Sequence, residues 1–582
     1  MAQTALDSDL KWDLEADVVV VGSGAAGLPA AIRAIDGGAS VIVVETNYDI
    51  GGHAILSGGN LALGGGTSAQ KKAGIEDSPD TVFSDLTDWS VIQPNGAPDY
   101  RFNDRAVMRA FADHCALTYE FLLANGVEFK PIPPDNRGAA GTGNSAPREN
   151  HAFWTKAASL ESPNGANGTG LIRPLEASAR AKGVRFLLNY KMTSLIRAPS
   201  TVEKTGRVIG ITATYTPRTL PGATTPLKSF RSEGNIENNN PVINLRAVKA
   251  VIIATGGSTG NVNFRRMFDP RFTAPFQVGG EPYSYQDASG EIAAMAIGAS
   301  LWGLANQTLE TGDTIRTKRM LATKYNYVAW KLESPLFPLV RATGLSVKDW
   351  QDLILVNQVG KRFYDETKGD PPHGNSYDQI NPYTPNDYRN PGNVKFNPTR
   401  YNFFHAATAI NEYSEPPDYC AGPLWAIFDA DAVQREEWKV APPHVDPDGY
   451  FFTANTIQEL AAAIKNEYQA KPMKGATLQA TVERYNSFVD AGEDKDFGKP
   501  APQYKIQTPP FYAAWATPVI HDTRAGLRIN AQCQVMDLDG QVIPGLYCAG
   551  ESAGGFNQHG TGRCTTQGFI AGTNAALEQR RE

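Results

Sequence analysis

Six consecutive residues, Gly22-Ser23-Gly24-Ala25-Ala26-Gly27, carry the strongest chemical signal in the chain. Their three glycines stand at a spacing that lets a strand turn sharply into a helix. Gly22 permits the tight turn, Gly24 lets backbone approach a pyrophosphate, and Gly27 lets the helix pack close to the sheet. The helix start then offers unbonded N–H groups and the positive end of its dipole to phosphate oxygens. Glu45, at the end of the next apolar run, is placed to accept hydrogen bonds from a ribose diol and to repel a 2′-phosphate. The competing reading is a glycine turn that binds nothing. A strand before, a helix after and an acid at the end of the next strand argue against it. At this point both FAD and NAD fit.

The elements that position these residues follow from local pattern. Asp17-Val18-Val19-Val20-Val21 is a short β-branched run suited to a central parallel strand buried on both faces. An alanine-rich helical pattern runs to Asp36, Gly37-Gly38 ends it, and Ser40–Val44 forms the second strand. Helices are expected near Asp104–Asn125, over Ser289–Ala299 and from about Thr565. Strands are expected at Val184–Leu188, Val208–Tyr215, Val248–Ile253 and Val542–Cys548. The polar stretch Pro217–Pro241 reads as an extended surface loop. From about Leu301 to Lys505 the chain is rich in Tyr, Trp, Phe and Pro and loses the β-α-β rhythm. We expect residues 1–300 and 506–582 to form one α/β, Rossmann-like domain, with 301–505 inserted as a second, α+β domain.

Composition narrows the function. The 582 residues include 54 Lys+Arg and 61 Asp+Glu, a net charge of −7 that gives no reason to expect nucleic acid or an anionic membrane as partner. With 41% hydrophobic and 20% charged residues, the chain can bury a sizeable core. The five cysteines are scattered, with no CxxC or CxxCH. Zinc ribbons, attached c-type haem, iron–sulfur clusters and a disulfide framework are therefore not expected, and no metal site is. No apolar run is long enough to span a membrane, and the first residues lack a basic-then-apolar leader pattern. The expectation is a cytoplasmic protein.

Further segments then agree in order along the chain: Gly51-Gly52-His53 with Ser57-Gly58-Gly59, Ala254-Thr255-Gly256-Gly257, and Ile543 to Glu551. So do Val356 to Phe363, Thr481 to Asn486 and Asp494 to Lys499. Together they resemble the fumarate reductase/3-ketosteroid dehydrogenase flavoprotein family, over about Asp17 to Ala576. The resemblance implies an FAD-binding domain split by a capping domain, with substrate held between them over the flavin. It implies FAD contacts from Gly22, Ser23, Gly24, Ala25, Ala26, Gly27, Glu45, Thr46, Gly51, Gly52, His53, Ser57, Gly58 and Gly59. Further contacts are implied from Ala254, Thr255, Gly256, Asp287, Gly550, Glu551, Thr565 and Thr566. His53 stands near the place from which some relatives attach flavin covalently, but the spacing to Gly58 is one residue shorter, so noncovalent FAD is expected.

The chain departs from both named activities. The arginine that fumarate reductases carry four residues past the glutamate is Asp370 here, counting from Glu366. Their Gln-x-His-Pro-Thr stands as Gln307-Thr308-Leu309-Glu310-Thr311, without histidine. His559-Gly560-Thr561-Gly562-Arg563 is kept. The terminal tyrosine motif of the ketosteroid dehydrogenases is replaced by Phe556-Asn557-Gln558-His559.

Hydride exchange with flavin beside a carbonyl needs a group that polarises the carbonyl and one that handles the proton on the neighbouring carbon. Arg563 is the candidate anchor, with a structural ion pair as the rival reading. His559 and His521 are candidates for proton relay or polarisation, against ordinary hydrogen-bonded histidines. Tyr512, in Phe511-Tyr512-Ala513, is a candidate donor, against an aromatic core residue. Tyr377, Tyr401, Phe403, Phe404 and His405 could line an aromatic pocket, and Cys564 is the thiol nearest the expected flavin. The expectation is an FAD-dependent oxidoreductase acting on a C–C bond beside a carbonyl of a cyclic or aromatic ketone-like small molecule. It would exchange electrons with an external acceptor or donor. An oxidase, an isomerase and a non-catalytic electron-transfer subunit are the alternatives on the same scaffold.

Overall fold

The computed structural model describes residues 10–87, 104–135, 145–155, 161–200, 206–268, 273–302, 315–316, 320–325, 330–363, 365–368, 422–520, 523, 525–556 and 560–580. Its centre is an eight-stranded mixed sheet. β1 (Leu14–Val21) lies in the middle, with β2 (Val41–Glu45) parallel on one side. The expected helix between them is α1 (Gly27–Asp36). Two short strands outside this sheet, β3 (Asn60–Ala62) and β4 (Glu149–His151), pair antiparallel with each other. β5 (Arg185–Leu188) extends the sheet beyond β2, and β6 (Tyr190–Arg197) and β7 (Val208–Tyr215) form an antiparallel pair. β8 (Val242–Ile253) joins β7 to the far side of β1. The strand Val542–Cys548 then runs parallel to β8, and Gln534–Met536 closes that edge.

Val18, Val19, Val20, Ile42, Val43, Val251 and Ile252 are wholly buried. That is the consequence of covering both faces of a parallel sheet, and it is why these strands read as unbroken apolar runs. One face is covered by α1 and by the last helix, Gly560–Leu577, which pack together closely. The approach is glycine-limited: a Cβ at Gly572 would stand 2.2 Å from the Ala30 carbonyl oxygen. This helix begins at Gly560, five residues before the expected start at Thr565.

The second unit is built on a four-stranded antiparallel sheet in the order Ile354–Asn357, Leu424–Phe428, Phe511–Trp515, Phe451–Ala454. Alternation along the strands gives it two apolar faces. Leu355, Ala426, Phe428, Tyr512 and Ala514 fill one. Ile354, Val356, Trp425, Ile427, Ala513 and Trp515 fill the other, beneath helices Ile457–Ala463 and Gly475–Ala491. The boundary expected at residue 505 falls inside this unit, because Phe511–Trp515 pairs with two of its strands. Sequence pattern missed this: a strand returning to complete a sheet carries no local mark of which sheet it joins.

The unit also buries an ion network. Arg362 pairs with Glu366 at 2.7 Å and with Asp494 at 2.8 Å, and Lys499 lies 3.3 Å from Glu366. The loop 217–241 follows the surface as expected, but it is fastened: Arg218 donates to the carbonyls of Pro282 and Tyr283.

Candidate active site

A cavity of about 560 Å³ runs along the carboxyl ends of β1, β2 and β8, where the glycine turn, Glu45 and the segment after β8 converge. Two glycines make that convergence possible. Gly22 has φ +103°, and a Cβ there would stand 2.2 Å from the Ala254 carbonyl oxygen. At Gly27 a Cβ would stand 1.9 Å from the Gly22 carbonyl oxygen. Gly24 differs: a Cβ there meets nothing nearer than the Gly51 carbonyl oxygen at 3.7 Å, and Gly24 lines the cavity. α1 has Ala26 at its N-cap and no side-chain cap bond; the Leu28 N–H bonds the Gly24 carbonyl oxygen at 3.1 Å, and it is the backbone of Gly22 to Ala26, just ahead of the helix, that lines the cavity. The turn is thus a cradle for an anion, and it fits a bound pyrophosphate.

Glu45 is buried and lines the cavity. Its Oε2 accepts from the Ser23 N–H at 2.9 Å and from the Ser23 hydroxyl at 2.6 Å, and its Oε1 accepts from Asn47 N–H at 2.8 Å. Burial raises its carboxyl above the ordinary range, and the Ser23 bonds offset only part of that. Thr46, Gly52, His53, Ser57 and Gly58 line the adjoining wall, as do Ala25 and Ala26. Gly51 and Gly59 shape this wall from behind, with φ +130° and +78°.

Ala254, Thr255 and Gly256 line the opposite side, together with Asp287. Burial acts to raise the Asp287 carboxyl, but Lys191 Nζ at 2.5 Å outweighs it and holds the group low. Gly550 and Glu551 also line the cavity, and Glu551 accepts from Gln286 Nε2 at 2.7 Å and from Thr523 N–H at 3.2 Å.

The last helix meets the cavity through Gly560, Thr561 and Cys564. Thr565 and Thr566, expected as cofactor contacts, are instead turned inward. Both are wholly buried, and the Thr565 hydroxyl donates to the carbonyls of Thr561 and Gly562. Arg563 is also corrected. It is 2% exposed, lies outside the cavity lining, and donates to the backbone carbonyls of Phe556, Gly550 and Ala553. It clamps the chain just before the helix to the end of the preceding strand. Along this helix the 561 and 564 side chains reach the cavity, while those of 563, 565 and 566 are buried in the interior.

Tyr512 belongs to the second sheet's core. Its ring stacks at 5.3 Å on Phe428 and 5.6 Å on Phe451, and it does not line the cavity. His559 and His521 lie outside the described residues, as do Tyr377, Tyr401, Phe403, Phe404, His405, Asp370 and 307–311. Sequence reasoning missed Asn47, Asn60, Glu149, Lys191, Arg218 and Tyr283, all of which line the cavity. They sit on irregular segments or strand ends, and no spacing rule marks them.

A glycine-turn anion cradle, a ribose-side acid and a long cleft on a parallel sheet define a dinucleotide-binding oxidoreductase fold. The chain belongs to the family described as the FAD binding domain, whose model matches residues 17–316 and 340–563. Its cofactor is FAD, and it is an FAD-dependent oxidoreductase. It is 28% identical to a urocanate reductase of Eggerthella lenta over 97% of this chain and 75% of that protein. It is 25% identical to a vinyl phenol reductase of Lactiplantibacillus plantarum, covering 96% and 95% of the two chains. In fold it is similar to a 3-ketosteroid Δ1-dehydrogenase from Sterolibacterium denitrificans, with TM-score 0.60 and 21% identity over 97% of this chain and 99% of that one. It is also similar to a flavocytochrome c3 fumarate reductase, with TM-score 0.58 and 21% identity over 97% and 78%. Among the described residues, no helix is long and apolar enough to cross a membrane.

Proposed function

We propose that this chain moves hydrogen across a carbon–carbon double bond conjugated to a carbonyl, on a cyclic or aromatic small molecule of low charge. The observation that carries the low-charge reading is the fate of Arg563: its guanidinium is committed to backbone carbonyls. Among the described residues lining the cavity, the arginines and lysines are Lys191, paired with Asp287, and Arg218, held near Asn47 and Tyr283. The reductases of urocanate and of vinyl phenol among the relatives support an unsaturated, ring-bearing substrate.

When bound, FAD supplies the ring that exchanges hydride with substrate carbon. The residues of the chain supply the rest. The backbone of the turn from Gly22 to Ala26, at the positive end of α1, holds the pyrophosphate, and Glu45 orients the ribose. The N-terminal turn of the last helix, through Gly560 and Thr561, brings its positive end to the redox end of the cavity, where negative charge on a reduced ring is favoured. Thr561 also donates to the Asn60 carbonyl and so ties the helix start to β3. His559 and His521 remain our candidates for moving the proton. Electrons come from or go to a carrier outside this chain.

Photoreduced enzyme mixed anaerobically with aromatic or cyclic enones should regain its yellow absorbance within turnover time. Fumarate and acrylate should leave it bleached. Reoxidation by fumarate alone would overturn the low-charge reading.

A further inference from the structure

Asn60 opens β3 and lines the cavity, as do Gly58, Gly560 and Thr561. With pyrophosphate at the glycine turn and ribose at Glu45, this wall is left for the redox ring and the substrate. Asn60 is exposed, and its side chain lies beside Gly58, whose Cβ would stand 3.7 Å from Asn60 Oδ1.

Contacts from both sides fix this residue. Its backbone carbonyl accepts from the Thr561 hydroxyl, which ties it to the start of the last helix. Its side-chain Oδ1 lies 3.0 Å from His151 Nδ1, directly across the β3–β4 pair. His151 Nε2 lies 3.1 Å from Asp135 Oδ2, and the His151 side chain is 10% exposed. Asp135 is held in turn by backbone: its N–H donates to the Glu149 carbonyl at 3.0 Å, and its carbonyl accepts from the Glu149 N–H at 2.8 Å. Asp135, His151 and Asn60 thus form a line of three side chains that ends at the cavity.

Donors can be counted along that line. The Asp135 carboxylate accepts, so His151 Nε2 carries a proton. Asn60 Oδ1 can only accept, so Nδ1 carries one too. The ring donates at both ends and holds the amide with its oxygen toward His151 and its nitrogen away from it. Among the described residues that nitrogen has no acceptor. It is a neutral donor on a wall where the Thr561 hydroxyl is already engaged and the Arg563 guanidinium is turned to interior carbonyls.

We propose that the Asn60 amide nitrogen is the donor that holds the carbonyl oxygen of the substrate, with His151 and Asp135 as positioning residues that keep it facing the cavity. The inference rests on the enone reading above and names the group that polarises the carbonyl in it. Electron density moves to that oxygen as hydride reaches the far carbon of the double bond, and a fixed N–H stabilises it there. A neutral donor does this without the cost of an unpaired buried cation.

The test uses FAD-loaded enzyme and reads binding before turnover. Oxidised enzyme is titrated with acetophenone and with ethylbenzene, which lacks the oxygen, by the perturbation of flavin absorbance. Asn60→Leu should weaken acetophenone about tenfold, leave ethylbenzene unchanged, and keep FAD content and Tm. Reoxidation of the photoreduced variant by cyclohexenone should slow by more, about a hundredfold, because the bond strengthens as charge develops. His151→Leu should show both losses in part, while His151→Gln, which retains a donor toward Asn60 Oδ1, should restore them to within about threefold of wild type. Equal weakening of both ligands, or reoxidation at the wild-type rate in Asn60→Leu, would overturn the inference and leave the enone reading standing. Loss of phenol affinity without loss of acetophenone affinity would overturn it too, since the amide would then face the cavity with its oxygen. A wild type that binds no aromatic ketone and is reoxidised by no enone would remove the substrate reading and this inference together.

Discussion

The carbonyl oxygen of Gly22 lies 1.9 Å from the point where a Cβ on Gly27 would stand, whereas a Cβ on Gly24 meets no atom closer than 3.7 Å. The two glycines therefore fail differently. Gly27→Ala must push the turn off the helix and should destabilise the fold by on the order of 3 kcal/mol, seen as a lowered Tm of apoprotein. Gly24→Val should leave the apoprotein Tm nearly unchanged and abolish FAD retention through gel filtration, because its side chain enters the anion cradle. A yellow, FAD-loaded Gly24→Val protein would refute the cradle.

Arg563 binds three backbone carbonyls in the interior. Arg563→Met strands those carbonyls without a charged donor and should cost about 3 kcal/mol or more in urea unfolding. The loss should appear in the apoprotein, with no substrate present. Unfolding unchanged from wild type, together with lost turnover, would return Arg563 to the substrate-anchoring role its sequence position suggests.

Tyr512 packs between Phe428 and Phe451, and burial raises its phenol above the ordinary range. Tyr512→Phe keeps the ring and its stacking. It should leave kcat/KM within about twofold and stability within about 1 kcal/mol. A hundredfold fall in kcat with stability intact would make Tyr512 a catalytic donor after all.

The network of Arg362, Glu366, Asp494 and Lys499 links stability to acid pH. Burial alone would raise the Glu366 carboxyl, but Arg362, followed by Lys499, holds it at about 2. Its folded value lies below its unfolded value. Its contribution is therefore fully present above the ordinary carboxylate range and is lost as pH falls from about 4.5 toward 2. Glu366→Gln leaves Arg362 and Lys499 buried with less opposing charge and should cost about 3 to 5 kcal/mol at pH 7. The variant should also lose less stability than the wild type on acidification over that window. Parallel pH–stability curves would contradict this.

Features that rest on near neighbours in the chain were legible in the sequence. The turn at Gly22 to Gly27, the runs at Val18–Val21 and Val41–Val44, and Glu45 at a strand end follow from backbone geometry and burial within about thirty residues. A glycine whose neighbour's carbonyl fills its Cβ position leaves that mark locally. The family motifs extended the same reading along the chain, and the cavity collects most of the residues they name.

What only the tertiary structure decided is direction and partnership. The last helix starts at Gly560 rather than Thr565, and its packing buries Thr565, Thr566 and Arg563 in the interior while Thr561 and Cys564 reach the cavity. Pairing of Phe511–Trp515 with Leu424–Phe428 makes Tyr512 a core residue. Lys191 meets Asp287, and Thr255 meets Ser552, across separations of about one hundred and about three hundred residues. A side chain's type and spacing state which interactions it can make. Which one it makes depends on the surface that arrives opposite it, and that surface is set by packing between segments that carry no mark of each other.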